Sequence, residues 1–173
     1  MRGPRALTLA MTMVVLILGL GAQDQTAVAA SDKQAASARL VIPKTGTDAV
    51  IRKVPVRKGQ LMVGTALQGV VYTPANGDPP CDQSGSTLYA GHAWRAGNGV
   101  ADKWGSLVRG DRMTVAGCEF RVTKKQYWPS TRSIRPLSRP GGPPQVVLFA
   151  CKQDDYSKRT VVFFRKVGKT KPF

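Results

Sequence analysis

Few residue types in this chain can do covalent chemistry. There is one histidine, His92, and there are three cysteines, Cys81, Cys118 and Cys151. A thiol beside an imidazole makes a nucleophile with its own acid and base, and a nearby arginine adds a donor for a developing oxyanion. Arg159 follows Cys151 across the polar turn Lys152-Gln153-Asp154-Asp155-Tyr156-Ser157-Lys158. Each residue also has a structural reading. A lone histidine can be a satisfied packing residue, a cysteine ending an apolar run can be inert, and an arginine at a strand start can be a solvated edge residue. A metal centre has little support, because there is no C-x-x-C and no second histidine. No metal or other cofactor is expected.

The N-terminus bears on the cysteines. Met1-Arg2-Gly3-Pro4-Arg5 is short and basic, and Ala6 to Ala22 then runs without a charge. Residues 1–22 therefore read as a signal peptide or a signal anchor, with Ala27-Val28-Ala29 fitting an A-x-A cleavage site. Basic residues before the run put its N-terminus in the cytoplasm and the rest of the chain outside. The expected location is extracytoplasmic: membrane-anchored by a single N-terminal span, or secreted if the segment is cleaved. In an exported chain an odd number of cysteines leaves one thiol free if two pair. Cys151 ends the apolar run Val146 to Ala150, where a buried strand would deliver a side chain to a rim, and is expected to be the free one. Cys81 and Cys118 are the expected disulfide.

The elements that must position these residues are strands. Gly (18) and Pro (12) are plentiful and aromatics scarce at 7%, a balance that favours short strands and turns over a helical bundle. Residues 23–38 are small and polar and read as a flexible linker. From Arg39 to the end the chain reads as one mostly β domain, closed as a barrel or a sandwich. Strands are expected over 39–42, 49–51, 69–72, 86–90, 112–115, 118–123, 145–150 and 160–164. The last two are continuously apolar, as central strands buried on both faces are. Gly117 predicts a hairpin turn, and Lys103 to Val108 one short helix with Asp102 as its N-cap. Tyr127 to Pro144 holds Pro129, Pro136, Pro140, Pro143 and Pro144 and predicts a long surface excursion. His92 comes just after a strand, where Gly91 lets the backbone bend.

Net charge is +16, from 26 Lys and Arg against 10 Asp and Glu. Such a surface attracts polyanions, or is simply solvated. Export and the lack of a DNA- or RNA-binding motif argue against a nucleic-acid partner.

Together these segments resemble a family. Val147-Leu148-Phe149-Ala150-Cys151, a short acidic turn and Arg159 before Val161-Val162-Phe163-Phe164 are similar to the nucleophile strand, loop and arginine strand of sortases. Leu88-Tyr89-Ala90-Gly91-His92 resembles the sortase histidine segment. Leu40-Val41-Ile42-Pro43 followed by Asp48-Ala49-Val50, and Ser106-Leu107 followed by Gly110-Asp111-Arg112-Met113-Thr114-Val115, also match, so the likeness spans residues 39–167. Many sortases carry Thr just before the nucleophile; here that position is Ala150. The short actinobacterial sortases of classes E and F look most similar.

The resemblance implies a closed β-barrel of about eight strands with one or two short helices, preceded by the N-terminal apolar helix. It implies a cysteine transpeptidase with His92, Cys151 and Arg159 as catalytic residues, acting through a thioester on sorting signals of the Leu-Pro-x-Thr-Gly or Leu-Ala-x-Thr-Gly type. Ala150, Tyr127 and Trp128 are candidates for the substrate groove. The expected partners are surface proteins bearing the signal, a peptidoglycan or pilin amine as acceptor, and the membrane through the N-terminal segment. Some sortases bind calcium, but acidic residues are few here. Two other readings are another exported cysteine peptidase and a non-catalytic basic domain that binds anionic wall polymer.

Overall fold

The computed structural model describes residues 39–77, 79–81 and 84–169. The expected apolar helix over 1–22 and linker over 23–38 lie outside these residues. Ten strands follow one another: β1 (Arg39–Ile42), β2 (Thr47–Val54), β3 (Val56–Arg57), β4 (Gln60–Leu61), β5 (Val70–Pro74), β6 (Ser86–Ala90), β7 (Arg112–Val115), β8 (Cys118–Pro129), β9 (Gln145–Lys152) and β10 (Asp155–Lys169). Eight of them close a barrel in the order β1-β2-β5-β6-β9-β10-β8-β7, and β3 and β4 form a separate two-stranded ribbon. Closure comes from β1 pairing antiparallel with β7, Leu40 opposite Val115 and Val41 opposite Thr114. Full closure leaves the barrel sheet no unpaired edge.

Alternation of side chains along each strand divides the apolar residues between two clusters. The interior cluster draws on every barrel strand, for instance Leu40, Ala49, Val71, Tyr89, Met113, Phe120, Leu148 and Val162. Trp104, fully buried, joins it from the short 3-10 helix Asp102–Ser106, and its indole Nε1 donates to Thr47 Oγ1 at 3.1 Å. The second cluster lies on the outer face, where Leu88, Ala90, Val147, Phe149 and Val161 meet Leu61, Ile134 and Leu137 from the connecting segments. This double burial explains why β9 and the middle of β10 read as continuous apolar runs.

The differences from the sequence reading are local. The strands of 118–123, 145–150 and 160–164 extend to 118–129, 145–152 and 155–169. Their polar ends are paired in the ladder at the barrel rim, and a hydrophobic pattern reports only the buried part. Tyr127 and Trp128 therefore lie on β8, and the excursion is shortened to the residues between β8 and β9, with a 3-10 turn at Arg135–Leu137. The helix near 103–108 is the 3-10 segment Asp102–Ser106, and its N-cap position is Ala101. Asp102 does not cap it. Its carboxylate accepts from the backbone N–H groups of Trp94 (2.6 Å) and Gly99 (2.8 Å) and so closes the preceding loop. The hairpin at Gly117 is a two-residue turn with Ala116 at φ 50° and Gly117 at φ 75°, the twist that suits a tight hairpin. Cys81 and Cys118 form a disulfide with Cα atoms 5.7 Å apart, and Cys151 is a free, exposed thiol.

Candidate active site

Cys151 is near the end of β9. Val147 and Phe149 face the outer cluster while Val146, Leu148 and Ala150 face the interior, so the alternation carries the Cys151 side chain to the outer face. Ala150 is 4% exposed and packs inside the barrel. Arg159 is the direct partner of Cys151 in the antiparallel β9–β10 ladder, and of Trp128 on β8 in the other direction. Directly opposite residues project to the same face of a sheet. Arg159 therefore shares the face of Cys151.

His92 reaches the same rim by a different route. Strand β6 runs parallel to β9, with Leu88 beside Val147 and Ala90 beside Phe149, and the Gly91 N–H donates to Phe149 O at 3.2 Å. Two parallel strands leave the barrel at the same end, so His92 emerges at the level of Cys151. Gly91 is not in the left-handed region. It is glycine for lack of space: a Cβ there would stand 2.8 Å from the Trp104 ring, 2.9 Å from Val100 Cγ1 and 3.0 Å from Ala101 Cβ. The bend that the sequence assigns to Gly91 is instead a close approach to the barrel plug.

The imidazole is held from two sides. His92 Nε2 lies 2.6 Å from Gly64 O; a carbonyl only accepts, so Nε2 carries the hydrogen and Nδ1 is left for other partners. The Tyr72 ring meets it edge-on with centroids 6.0 Å apart, and Tyr72 is fixed by Ala66, whose N–H donates to its hydroxyl at 3.2 Å. The loop after His92 is docked on the β9–β10 turn. Arg95 N–H donates to the Tyr156 hydroxyl at 2.8 Å, Gln153 Nε2 donates to Trp94 O at 3.3 Å, and the Arg95 guanidinium stands 5.0 Å over the Tyr156 ring. These contacts tie the histidine segment to the nucleophile segment.

The Arg159 guanidinium is oriented by two neighbours. Nη1 donates to Arg132 O at 3.1 Å and Nη2 to Gln60 Oε1 at 3.3 Å. Arg132 in turn lies 3.8 Å over the Trp128 ring, and Trp128 is 8% exposed and packed into the outer cluster. Gln60 sits on β4, so the small ribbon serves to aim the arginine. On the turn itself, the Ser157 hydroxyl and Lys158 hold the Asp155 carboxyl well below the usual carboxylate range, at about 2. The Asp154 carboxylate beside Lys152, 2.5 Å away, raises the lysine.

A cleft of about 710 Å³ opens at this rim between the strand ends and the 3-10 helix, lined among others by Cys151, Tyr127, Thr160, Lys103 and Lys152. It is large enough for a short peptide segment. Of the groove candidates, Tyr127 lines it and is 47% exposed, whereas Trp128 is buried in the outer cluster and Ala150 in the barrel interior. The sequence points to none of Gln60, Gly64, Tyr72, Arg132 and Tyr156 as site residues, and to Asp102 only as a helix cap. Asp102 instead closes the loop after His92, and the others act only through contacts made by folding. Among the described residues no group of three or more His, Cys, Asp or Glu side chains is arranged to hold a metal ion.

No protein-family model matches the chain, and no curated protein matches it. Solved structures do. Sortase A of Listeria monocytogenes superposes with a TM-score of 0.63 at 16% identity, covering 80% of this chain and 92% of that one. Sortase C1 of Streptococcus agalactiae gives 0.62 at 18% identity over 80% and 70%, and sortase C-1 of Actinomyces oris 0.60 at 18% over 82% and 83%. With a closed eight-stranded barrel that superposes on all three, the chain has the sortase fold.

Proposed function

We propose that the protein is a sortase-type cysteine transpeptidase in which Cys151 is the nucleophile, His92 the acid and base, and Arg159 the oxyanion donor. The observation that carries this reading is the register that sets Arg159 opposite Cys151 while the parallel β6–β9 pairing brings His92 to the same rim. In the forward step the Cys151 thiolate adds to the Thr carbonyl carbon of a Leu-Pro-x-Thr-Gly or Leu-Ala-x-Thr-Gly signal. The Thr–Gly C–N bond breaks, the glycine amine leaves with a proton from His92, and the acyl group stays on sulfur as a thioester. An incoming amine then adds to the same carbonyl, gives its proton to His92, and releases the thiolate. Two of the five guanidinium donors of Arg159 are engaged by Arg132 O and Gln60 Oε1, which aims the planar fork and leaves donors for the oxyanion.

The acceptor in this reading is a peptidoglycan or pilin amine, and the substrates are surface proteins carrying the signal. Residues 1–22 act as an export signal or anchor that holds the enzyme on the extracytoplasmic side. In this reading the N-terminal apolar run and the segments of the catalytic domain are most similar to sortase classes E and F.

The test is incubation with sorting-signal peptides followed by mass spectrometry of the protein and of the peptide products. An acyl adduct on Cys151 and release of the glycine-bearing fragment are expected, with both absent from Cys151→Ala. A wild-type protein that forms no adduct with peptides of either motif would sink the reading.

A further inference from the structure

The outer wall of the barrel carries a row of arginines far from the candidate active site. Arg112 on β7 is the direct partner of Arg121 on β8, and Arg121 is the direct partner of Arg165 on β10. All three are exposed, and neighbouring strands set them about 4.8 Å apart along the hydrogen-bonding direction. Beyond Arg165 a small cleft around Gln145, its partner on β9, is also lined by the exposed Arg139. Like charges directly opposite one another across strands destabilise a sheet. One carboxylate offsets them: Glu119 lies 3.3 Å from Arg112 Nε and 3.6 Å from Arg121 Nε. Both contacts are at Nε, and the two arginine side chains are 62% and 44% exposed. Arg165 and Arg139 have no carboxylate partner among the described residues. The row lies about 20 Å along β10 from Arg159 at ~3.3 Å per residue.

We propose that this row is a binding site for a linear phosphodiester polymer. Every position is arginine, whose planar fork donates two parallel hydrogen bonds to a phosphate where lysine offers a point charge. The row runs around the curved barrel wall. A flexible chain can follow that curve and meet each guanidinium in turn, whereas a planar membrane touches only part of it. The excess of positive charge, +16 over the chain, supplies the long-range attraction, and the row supplies the track.

The experiment uses the full-length chain and poly(glycerol phosphate) as the probe, with affinity measured across a salt series. The triple variant R112Q/R121Q/R165Q is expected to lose at least about tenfold in affinity and about 2 in the slope of log K against log salt, while R52Q/K53Q/R57Q, with the same loss of charge, stays within about twofold of wild type. Glu119→Gln is expected to tighten binding. If the triple variant fails to fold, Arg165→Gln alone carries the test, with an expected loss of about threefold. Equal losses in the two triple variants would reduce the effect to net charge and overturn the site. So would stronger binding to phosphatidylglycerol vesicles than to the polymer. Sorting-peptide cleavage is a separate readout and is expected to be unchanged in R112Q/R121Q/R165Q whether or not the polymer binds.

Discussion

His92 Nε2 donates to the carbonyl of Gly64 across 2.6 Å, which ties the only imidazole of the chain to the segment between β4 and β5. The Tyr72 ring braces the same imidazole, and the Tyr72 hydroxyl anchors that segment through Ala66. Tyr72→Phe keeps the ring and removes the anchor, a net loss of about 1 kcal/mol for the hydrogen bonding. The variant is expected to fold, with Tm within a few degrees of wild type, and to show a kcat several-fold lower on sorting peptides. Unchanged kcat would mean that the Gly64 segment does not position His92.

Arg159 offers a sharper test, because its guanidinium is aimed by partners from two different segments. Arg159→Ala is expected to lower kcat/KM by about a hundredfold or more while leaving Tm near wild type, since the donor acts on charge that develops in the transition state. Arg159→Lys should recover only part of this, because a point charge lacks the planar fork. Gln60→Ala, which frees the fork without removing it, should fall between wild type and Arg159→Ala. A Gln60→Ala variant as impaired as Arg159→Ala would point to a separate role for Gln60.

Gly91 is fixed by space. Its substitution by Ala sets a methyl group within 3.0 Å of Trp104, Val100 and Ala101, and overpacking of this kind costs about 1–3 kcal/mol. The backbone that yields is the one carrying His92. Gly91→Ala is therefore expected to lower Tm by several degrees and to reduce peptide cleavage more than the stability loss explains. Full activity together with a lowered Tm would separate the packing of Gly91 from the placement of His92.

The Cys81–Cys118 disulfide closes a loop across 37 residues, worth ~3–4 kcal/mol in the chain-entropy account. Thiol titration of the unfolded, unreduced protein should find one reactive thiol per chain, modified at Cys151. Reduction, or Cys81→Ala with Cys118→Ala, is expected to lower Tm by roughly 10 °C and to leave the thioester chemistry intact in the fraction that is folded. Three free thiols would remove the bridge from the native protein.

The segment between β8 and β9 buries Ile134 and Leu137 in the outer cluster and presents Arg132 O to Arg159. The following residues turn away from the site: Ser86 N–H donates to Arg139 O and Gly85 N–H to Gly142 O, at the end of β6 opposite His92. Replacing Ser138 to Pro143 with an unrelated loop, while keeping 130–137, should therefore leave peptide selectivity unchanged, and altered selectivity would place that stretch in the groove.

Much of this protein is decided within short stretches of sequence. The alternation in Arg112 to Val115 and the β-branched and apolar runs at 145–150 and 160–164 dictate strands whatever surrounds them. The two residues Ala116-Gly117 allow a tight hairpin, and Cys151 closes an apolar run just before a polar turn. The sequence places Arg159 at the mouth of the strand next to that of Cys151 but not opposite it: Lys152 pairs with Asp155, so regular pairing would set Tyr156 against Cys151, and the irregularity between Asp155 and Arg159 brings the arginine there instead. Pairing at long range is another matter. That β6 lies parallel to β9, bringing His92 level with Cys151, follows from closing the barrel, and no local period encodes it. The contacts that orient the site span still greater distances, 28 residues from His92 to Gly64 and 99 from Arg159 to Gln60. Such partners are chosen by which segments the closed barrel leaves next to each other at its rim, so only the tertiary structure could name them.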